Sequence, residues 1–136
     1  MKPASIMIIE TDSDLRNTLR HAFETRGYLT WTCPIPEMAE SIFTAILPDV
    51  VFLDLDLDLE GRDLILLIDA WKELAPQTCF IVEGHAADAL RMHKAINHGA
   101  RTCFVKAGPI GPLVNLLEKE HPPHGTAHPS VMRAAA

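Results

Sequence analysis

DVVFLD, at residues 49–54, is a short apolar run that follows a proline and ends on a carboxylate. Four consecutive apolar residues predict a strand that is buried on both faces, as in the middle of a parallel sheet. In open parallel sheets, ligands and chemistry collect just outside the carboxyl ends of the strands. Asp54, the last residue of this strand, is therefore the candidate reactive group. An isolated Asp at the end of a strand more often only starts a turn. A reactive role for Asp54 therefore depends on which side chains end the other strands.

The chain has 136 residues, of which 48% are hydrophobic, and its formal net charge is -6. This length suits one domain whose core needs neither disulfides nor metals. Because attraction to phosphate needs clustered Lys and Arg, the acidic balance argues against nucleic acid or an anionic membrane as a direct partner. No apolar run approaches the roughly 20 residues of a membrane helix, and none resembles a signal peptide.

The three cysteines, Cys33, Cys79 and Cys103, show no CxxC or Cys/His spacing. Each lies in or beside an apolar run that predicts a strand. We therefore expect three reduced thiols in the core and a cytoplasmic location.

Apolar runs and helical patterns alternate along the chain. Strands are predicted at residues 5–9, 28–33, 49–54, 78–82 and 101–105, and helices at residues 13–26, 38–46, 62–74, 86–98 and from Pro109 or Pro112 to about Glu120. The third helix is expected to bury one face, made of Leu64, Leu67, Ile68, Trp71 and Leu74. Five strands alternating with five helices indicate a doubly wound parallel α/β sheet. Residues 121–136 contain three Pro and three His without apolar periodicity, which predicts a linker or a disordered end.

The ends of strands one, three, four and five can meet at one edge of such a sheet. Glu10, Asp12, Asp54, Glu83 and Lys106 would then face a single crevice. Carboxylates at close range repel one another unless a cation or a basic group balances them. Because Mg²⁺ prefers oxygen ligands and Lys106 supplies a fixed positive charge, the pattern predicts a magnesium site beside Asp54.

Four segments resemble the receiver domain of two-component response regulators. They are the acids that follow strand one within residues 6–16, the segment Pro48–Asp54, the run Gly84-His85-Ala86, and Gly99-Ala100 leading to Phe104-Val105-Lys106. The joint spacing of these segments, rather than any one motif, is specific, and it covers residues 5–120. The resemblance implies a receiver domain at residues 1–120 with a flavodoxin-like fold and strand order 2-1-3-4-5.

The resemblance also implies roles for individual residues. Asp54 matches the phosphoacceptor that takes a phosphoryl group from a histidine kinase or a phosphotransfer protein. Lys106 is expected to pair with that phosphoryl group, and Glu10 and Asp54 are expected to hold Mg²⁺. A homodimer through the fourth and fifth helices is expected, and the role is signalling rather than enzymatic turnover.

The position after Glu10 departs from the family pattern. The family has a second acid there, whereas this chain has Thr11. A neutral hydroxyl is a weaker ligand for Mg²⁺ than a carboxylate, so weaker metal binding is expected. Asp12, one residue on, either supplies the missing metal ligand or caps the first helix, and the sequence leaves both roles open.

Three more switch and loop positions are atypical. Glu83 stands where the family has a Thr or Ser that binds the phosphoryl group, so it would either repel phosphate or sit near Lys106 as a permanent anion. Cys103 stands at the place of the switch aromatic, and strand alternation points Phe104 to the other face. Ala107 replaces the Pro that commonly follows the Lys, and the peptide bond before it is expected to be trans.

Two other functions compete with a phosphorylatable receiver. Asp54 and Lys106 favour phosphorylation, whereas Thr11 and Glu83 favour an atypical receiver that works as a phosphorylation-independent docking or dimerisation module. A remote alternative is a phosphatase, because Asp54 and Asp56 match the DxD motif of haloacid-dehalogenase-like enzymes. That family carries its motif on the first strand, whereas here an acid-ended strand precedes it.

Overall fold

The computed structural model describes residues 3–33, 36–57 and 63–123, which build one five-stranded sheet. The strands are β1 Ser5–Ile9, β2 Leu29–Cys33, β3 Val50–Asp54, β4 Cys79–Gly84 and β5 Thr102–Val105. The helices are α1 Ser13–Glu24, α2 Ala39–Ile46, α3 Leu64–Leu74, α4 Ala89–Asn97 and α5 Gly111–Glu120. Each predicted element is present, and its ends agree with the prediction to within a few residues.

All neighbouring strands are parallel, in the order β2-β1-β3-β4-β5. This confirms the predicted flavodoxin-like, doubly wound sheet. The central strand, β3, is buried at every residue, as its uninterrupted apolar run predicts. The edge strand β2 alternates between exposed and half-buried residues over most of its length, as expected for a strand with one free edge.

Helices cover both faces of the sheet. On one face, α2, α3 and α4 pack around Phe43, Trp71 and Phe80, and the rings of Phe43 and Trp71 stack with their centroids 4.1 Å apart. On the other face, α1 and α5 pack around Phe23 and Phe52, whose ring centroids are 5.6 Å apart. Because apolar side chains fill both faces, polar chemistry is left to the ends of the strands.

Two expectations about buried side chains need correction. Leu74, predicted on the buried side of α3, is 55% exposed, because α3 ends at this residue and Ala75 already caps it. Cys33 is buried as predicted, but Cys79 and Cys103 are only half-buried, and no disulfide joins the three thiols, all of which lie in described segments.

The start of the predicted tail packs against the domain. The backbone N–H of Ala4 donates to the carbonyl oxygen of Pro123 at 2.9 Å, and the Tyr28 hydroxyl donates to the carbonyl oxygen of His121 at 2.7 Å. Residues 121–123 therefore belong to the packed unit. The rest of the tail, 124–136, for which disorder is predicted, lies outside the described residues. Among the described helices, none has the length and apolar character needed to cross a membrane.

Candidate functional site

Three buried acids lie side by side at the carboxyl ends of the three central strands. Asp54 of β3 is paired in register with Glu83 of β4, and the pairing of Ile9 with Leu53 places Glu10 next to Asp54. Residues in register on parallel strands point to the same face, and neighbouring strands lie about 4.8 Å apart. One carboxyl oxygen from each acid lies within 4.8 Å of the other two. We call Glu10, Asp54 and Glu83 the acidic row.

The carboxylate of Asp54 is surrounded by donors. Lys106 Nζ lies 2.9 Å from Oδ1, and the backbone N–H of Asp56 donates to the same oxygen at 2.9 Å. Thr11 donates to Oδ2 from its hydroxyl at 2.9 Å and from its backbone N–H at 3.3 Å. Burial raises the pKa of Asp54, but hydrogen bonds from the Glu10 carboxyl, Lys106, Asp56 and Thr11 outweigh it and lower the pKa to about 2. Asp54 is therefore ionised at neutral pH.

Lys106 directly follows β5 and lies beside the acidic row. Its Nζ lies 2.9 Å from Asp54 Oδ1, and 3.4 Å from both Glu10 Oε2 and Asp56 Oδ2. Burial works against the charged ammonium, but the carboxylates, led by Asp54, keep the pKa of Lys106 above its ordinary value. The lysine is thus a fixed positive charge bound to the candidate acceptor.

The turn after Lys106 is tight. Ala107 has a φ of 70°, in the left-handed region, and this conformation costs a non-glycine residue on the order of 1 kcal/mol. A Cβ atom on Gly108 would lie 2.9 Å from the carbonyl oxygen of Val105. Because the proline ring holds φ near -65°, a Pro could not adopt the backbone found at Ala107. The described residues contain no cis peptide bond, which confirms the trans bond expected before Ala107.

Glu83 is as deeply buried as Asp54 but differs from it in its hydrogen bonds. Both of its carboxyl oxygens, and Oε1 of Glu10, lack a hydrogen-bond donor in the described part of the chain. Burial, followed by repulsion from Glu10 and Asp54, raises the pKa of Glu83 to about 9. Burial and the neighbouring Asp54 raise the pKa of Glu10 to about 7. Without a bound cation Glu83 is therefore protonated at neutral pH, which does not fit the expectation of a permanent anion beside Lys106.

Asp12 lies apart from the acidic row. Its Oδ1 accepts hydrogen bonds from the backbone N–H of Asp14 at 2.9 Å and of Leu15 at 3.2 Å, so Asp12 is the N-cap of α1. Of the two roles that the sequence leaves open, the structure shows the cap. Among the residues that the structure describes, the acids that could share one ion are Glu10, Asp54 and Glu83. Asp12 as a metal ligand therefore stays a prediction.

Asp56 and His85 form the rim of the site. Nε2 of His85 lies 3.0 Å from Oδ2 of Asp56, the oxygen that also pairs with Lys106. On the same rim, Arg91 of α4 donates to the carbonyl oxygen of Leu55 at 2.8 Å. The alternating acids after Asp54 are visible in the sequence, but their contact with His85 and Lys106 arises only from folding.

The end of β5 has the predicted alternation. Cys103 packs against the core that α2, α3 and α4 cover, whereas Phe104 is buried in the core that α1 and α5 cover. The aromatic ring therefore lies on the opposite face from position 103. A switch that swings an aromatic side chain at position 103 is not available in this chain.

No protein-family model matches the chain, and neither does any curated protein. Solved structures do match. The signal receiver domain of a DNA-binding response regulator from Colwellia psychrerythraea 34H aligns with a TM-score of 0.76 at 24% identity, over 85% of this chain and 96% of that one. This chain has the receiver fold.

Two further solved structures extend the comparison. A response regulator receiver domain protein from Clostridium thermocellum aligns with a TM-score of 0.74 at 18% identity, over 97% of each chain. NtrX from Brucella abortus aligns with a TM-score of 0.74 at 23% identity, over 88% of this chain but only 26% of NtrX. Identities of this size show a shared receiver fold, and the chemistry of this chain rests on its own residues.

Proposed function

We propose that this chain is a receiver of two-component signalling in which Asp54 accepts a phosphoryl group from a histidine kinase or a phosphotransfer protein. The observation that carries the proposal is an ionised carboxylate at the end of the central strand with Lys106 Nζ 2.9 Å away. The shared fold supports the same function. Phosphorylation would then change the surface offered to a partner or to an output domain.

The proposed step is a nucleophilic attack by a carboxylate oxygen of Asp54 on the phosphorus of a phosphohistidine. An O–P bond forms while the P–N bond breaks, and the electron pair of that bond returns to the imidazole nitrogen. A donor ring protonated at its other nitrogen leaves as neutral histidine. Lys106, already in contact with Asp54, balances the negative charge of the acyl phosphate.

In this proposal Glu10 and Asp54 would hold a magnesium ion. Both offer carboxylate oxygens, which this ion prefers, and Oε1 of Glu10 is buried with no donor in residues 3–33, 36–57 and 63–123. When bound, Mg²⁺ supplies positive charge beside the oxygens of the transferred phosphoryl group. Thr11 contributes no carboxylate here, and its hydroxyl donates to Asp54 instead.

Asp54 must lose a hydrogen bond before it can react. The residue is 0% exposed, and each carboxylate oxygen accepts from two groups. Thr11 is exposed, and its hydroxyl hydrogen turns about a single bond. Oδ2 is therefore the easier oxygen to free, and we expect phosphorylation to be slower than in a receiver whose Asp is open to solvent.

The test is intact mass after incubation with acetyl phosphate and Mg²⁺. We expect the wild-type chain and Asp56→Asn to gain one phosphoryl group, and Asp54→Asn to gain none. Asp56→Asn is the matched control, because it removes a neighbouring carboxylate that also contacts Lys106. Labelling that survives in Asp54→Asn would mean that the acceptor lies elsewhere.

A phosphorylation-independent docking module is the second candidate. The acidic row itself favours this function. Both carboxylate oxygens of Asp54 already accept hydrogen bonds, and Glu83 stands at the position where a phosphoryl group would need a hydroxyl. If the wild-type chain forms no adduct under conditions that label an ordinary receiver, this second function replaces the first.

Both functions are compatible with the proposed homodimer through α4 and α5. Leu90 of α4 is 86% exposed and Val105 of β5 is 42% exposed, and apolar groups of this kind are common in interfaces. We expect Leu90→Lys to lower the apparent mass in light scattering towards that of a monomer. An unchanged mass in the variant would remove α4 from the interface.

We expect no enzymatic turnover. A phosphatase would need Asp56 as its acid/base, yet Oδ2 of Asp56 is paired with Lys106 and His85. Hydrolysis of an aryl phosphate with Mg²⁺ over many turnovers, lost in Asp56→Asn, would contradict this expectation. A cytoplasmic location remains part of the proposal.

A further inference from the structure

Glu83 is a buried acid that the receiver chemistry leaves unused. Its side chain is 0% exposed, and, apart from the neighbouring Glu10 carboxyl, with which it can share a proton, neither of its carboxyl oxygens has a donor among the described residues. Most buried polar side-chain atoms in proteins have a hydrogen-bond partner, and burying a carboxyl group with too few partners costs free energy. A group that binds Glu83 would remove this cost.

The positions of the three acids suit a single ion. One oxygen each from Glu10, Asp54 and Glu83 lies within 4.8 Å of the others. Oxygens on opposite sides of a bound Mg²⁺ are about 4 Å apart, and those on opposite sides of Ca²⁺ about 5 Å apart. One hard cation can therefore contact all three carboxylates with little movement of the strands that carry them.

The charges of the site point to a divalent ion. Lys106 contacts Asp54 and Glu10, and Glu83 is not among its ion-pair partners in the described part of the chain. When ionised, the three carboxylates of the acidic row carry three negative charges, and the single ammonium of Lys106, which also contacts Asp56, balances at most one of them, so at least two negative charges are in excess. A divalent cation balances them, whereas a monovalent cation leaves one uncompensated.

We propose that Glu83 is a direct ligand of a divalent cation held jointly with Glu10 and Asp54. The hydroxyl hydrogen of Thr11 is directed to Asp54, so the third carboxylate comes from the end of β4 and not from the loop after β1. The role of this cation in signalling rests on the proposed receiver function. Cation binding itself needs no phosphoryl donor. A carboxylate that would otherwise repel a phosphoryl group is then neutralised by the ion.

The test is titration of the full chain with Mn²⁺, in which the electron paramagnetic resonance signal reports the free ion, followed by competition with Mg²⁺ and Ca²⁺. We expect one site, and Glu83→Gln should weaken its affinity by more than about tenfold because one charged ligand is lost. Glu73→Gln, at an exposed position of α3, is the matched control and should bind like the wild type.

Two outcomes would overturn the assignment of Glu83. Either the wild-type chain binds no divalent ion, or Glu83→Gln binds it as tightly as the wild type. Glu83→Asp guards against a folding defect, because it keeps the charge and should retain more affinity than Glu83→Gln when both melt like the wild type.

Cation binding by Glu83 and phosphorylation of Asp54 can be tested separately. If Mn²⁺ binds through Glu83 but acetyl phosphate leaves no adduct, the cation site stands and phosphorylation does not. If Asp54 is labelled and Glu83→Gln has no effect on Mn²⁺ binding, the receiver function stands and Glu83 is not a ligand.

Discussion

Asp54 and Glu83 are neighbours in register on adjacent strands, and both are 0% exposed. Their protonation nevertheless differs. The pKa of Asp54 is lowered to about 2, and the pKa of Glu83 is raised to about 9. One carboxyl is an anion at neutral pH, and the other holds its proton in the absence of a cation.

The difference between these two acids lies in their donors and not in their burial. Asp54 receives hydrogen bonds from both loops that flank it and an ion pair from the end of β5, whereas Glu83 faces other carboxyl groups. Desolvation raises the pKa of any buried acid, and only donors or cations reverse it. A buried acid at the end of a parallel strand is therefore an ionised nucleophile when neighbouring strands and loops supply donors or a cation, and a neutral group when they do not.

Removing the cation of Asp54 should have the largest effect on stability. Lys106→Met leaves the buried carboxylate without its ion pair, and breaking a buried pair in this way costs about 3 to 5 kcal/mol. Urea unfolding at pH 7 measures the loss, with Lys94→Met, at an exposed position of α4, as the control. A loss no larger than that of the control would show that Lys106 does not hold Asp54 in its charged state.

Replacing Glu83 by a residue that does not titrate should change how stability depends on pH. Its pKa is about 9 in the folded chain against an ordinary value of 4.5, so between these values the folded state holds a proton that the unfolded state has lost. The free energy of unfolding should therefore fall as pH rises through this window, and at pH 7 Glu83 accounts for a loss on the order of 3 kcal/mol.

In Glu83→Gln the fall in stability between the two folded pKa values, about 7 and about 9, should disappear, while Glu10 keeps a slope of the same sign below pH 7. Urea unfolding between pH 5 and 9, roughly the span of these two transitions, in buffer with EDTA, makes the comparison, and Glu73→Gln should follow the wild type. An unchanged slope in Glu83→Gln would show that Glu83 is ionised, and the contrast with Asp54 would then be lost.

Removing one donor from Asp54 should have a smaller effect. Thr11→Val deletes the hydroxyl that donates to Oδ2 at 2.9 Å, and a hydrogen bond to a charged group at a partly exposed site contributes about 1 kcal/mol. The same change removes one of the two donors to Oδ2 and leaves only the backbone N–H of position 11 at 3.3 Å, so labelling by acetyl phosphate should become faster. Thr18→Val, at an exposed position of α1, is the control, and equal labelling rates in the two variants would mean that Thr11 does not obstruct Asp54.

The smallest effect is expected at an exposed ion pair. Arg101 donates to both carboxylate oxygens of Glu120, with Nη2 2.7 Å from Oε2. Solvent screens such pairs, and many of them contribute nothing measurable to stability. Arg101→Gln should therefore leave the urea midpoint unchanged. A shift as large as that of Lys106→Met would mean that burial does not decide how much an ion pair contributes to stability in this protein.

The sequence predicted most of the fold because the signals are local. Apolar runs gave the five strands, and 3.6-residue periodicity with Gly and Pro at the ends gave the helices. The prediction that Leu74 is buried was wrong, because the apolar periodicity continues to the last residue of a helix whether or not a neighbouring element covers that residue. Asp12 was ambiguous for a similar reason, since a cap and a metal ligand use the same carboxylate.

For this protein, the sequence by itself determined the order of strands and helices and the identity of the acids and the lysine that end the strands. Only the tertiary structure decided that Asp54 is ionised and Glu83 is not. The reason is that a pKa depends on desolvation and on charges acting through space. The groups that set these values, Glu10, Asp54, Glu83 and Lys106, come from four different strand ends and meet only when the sheet has formed.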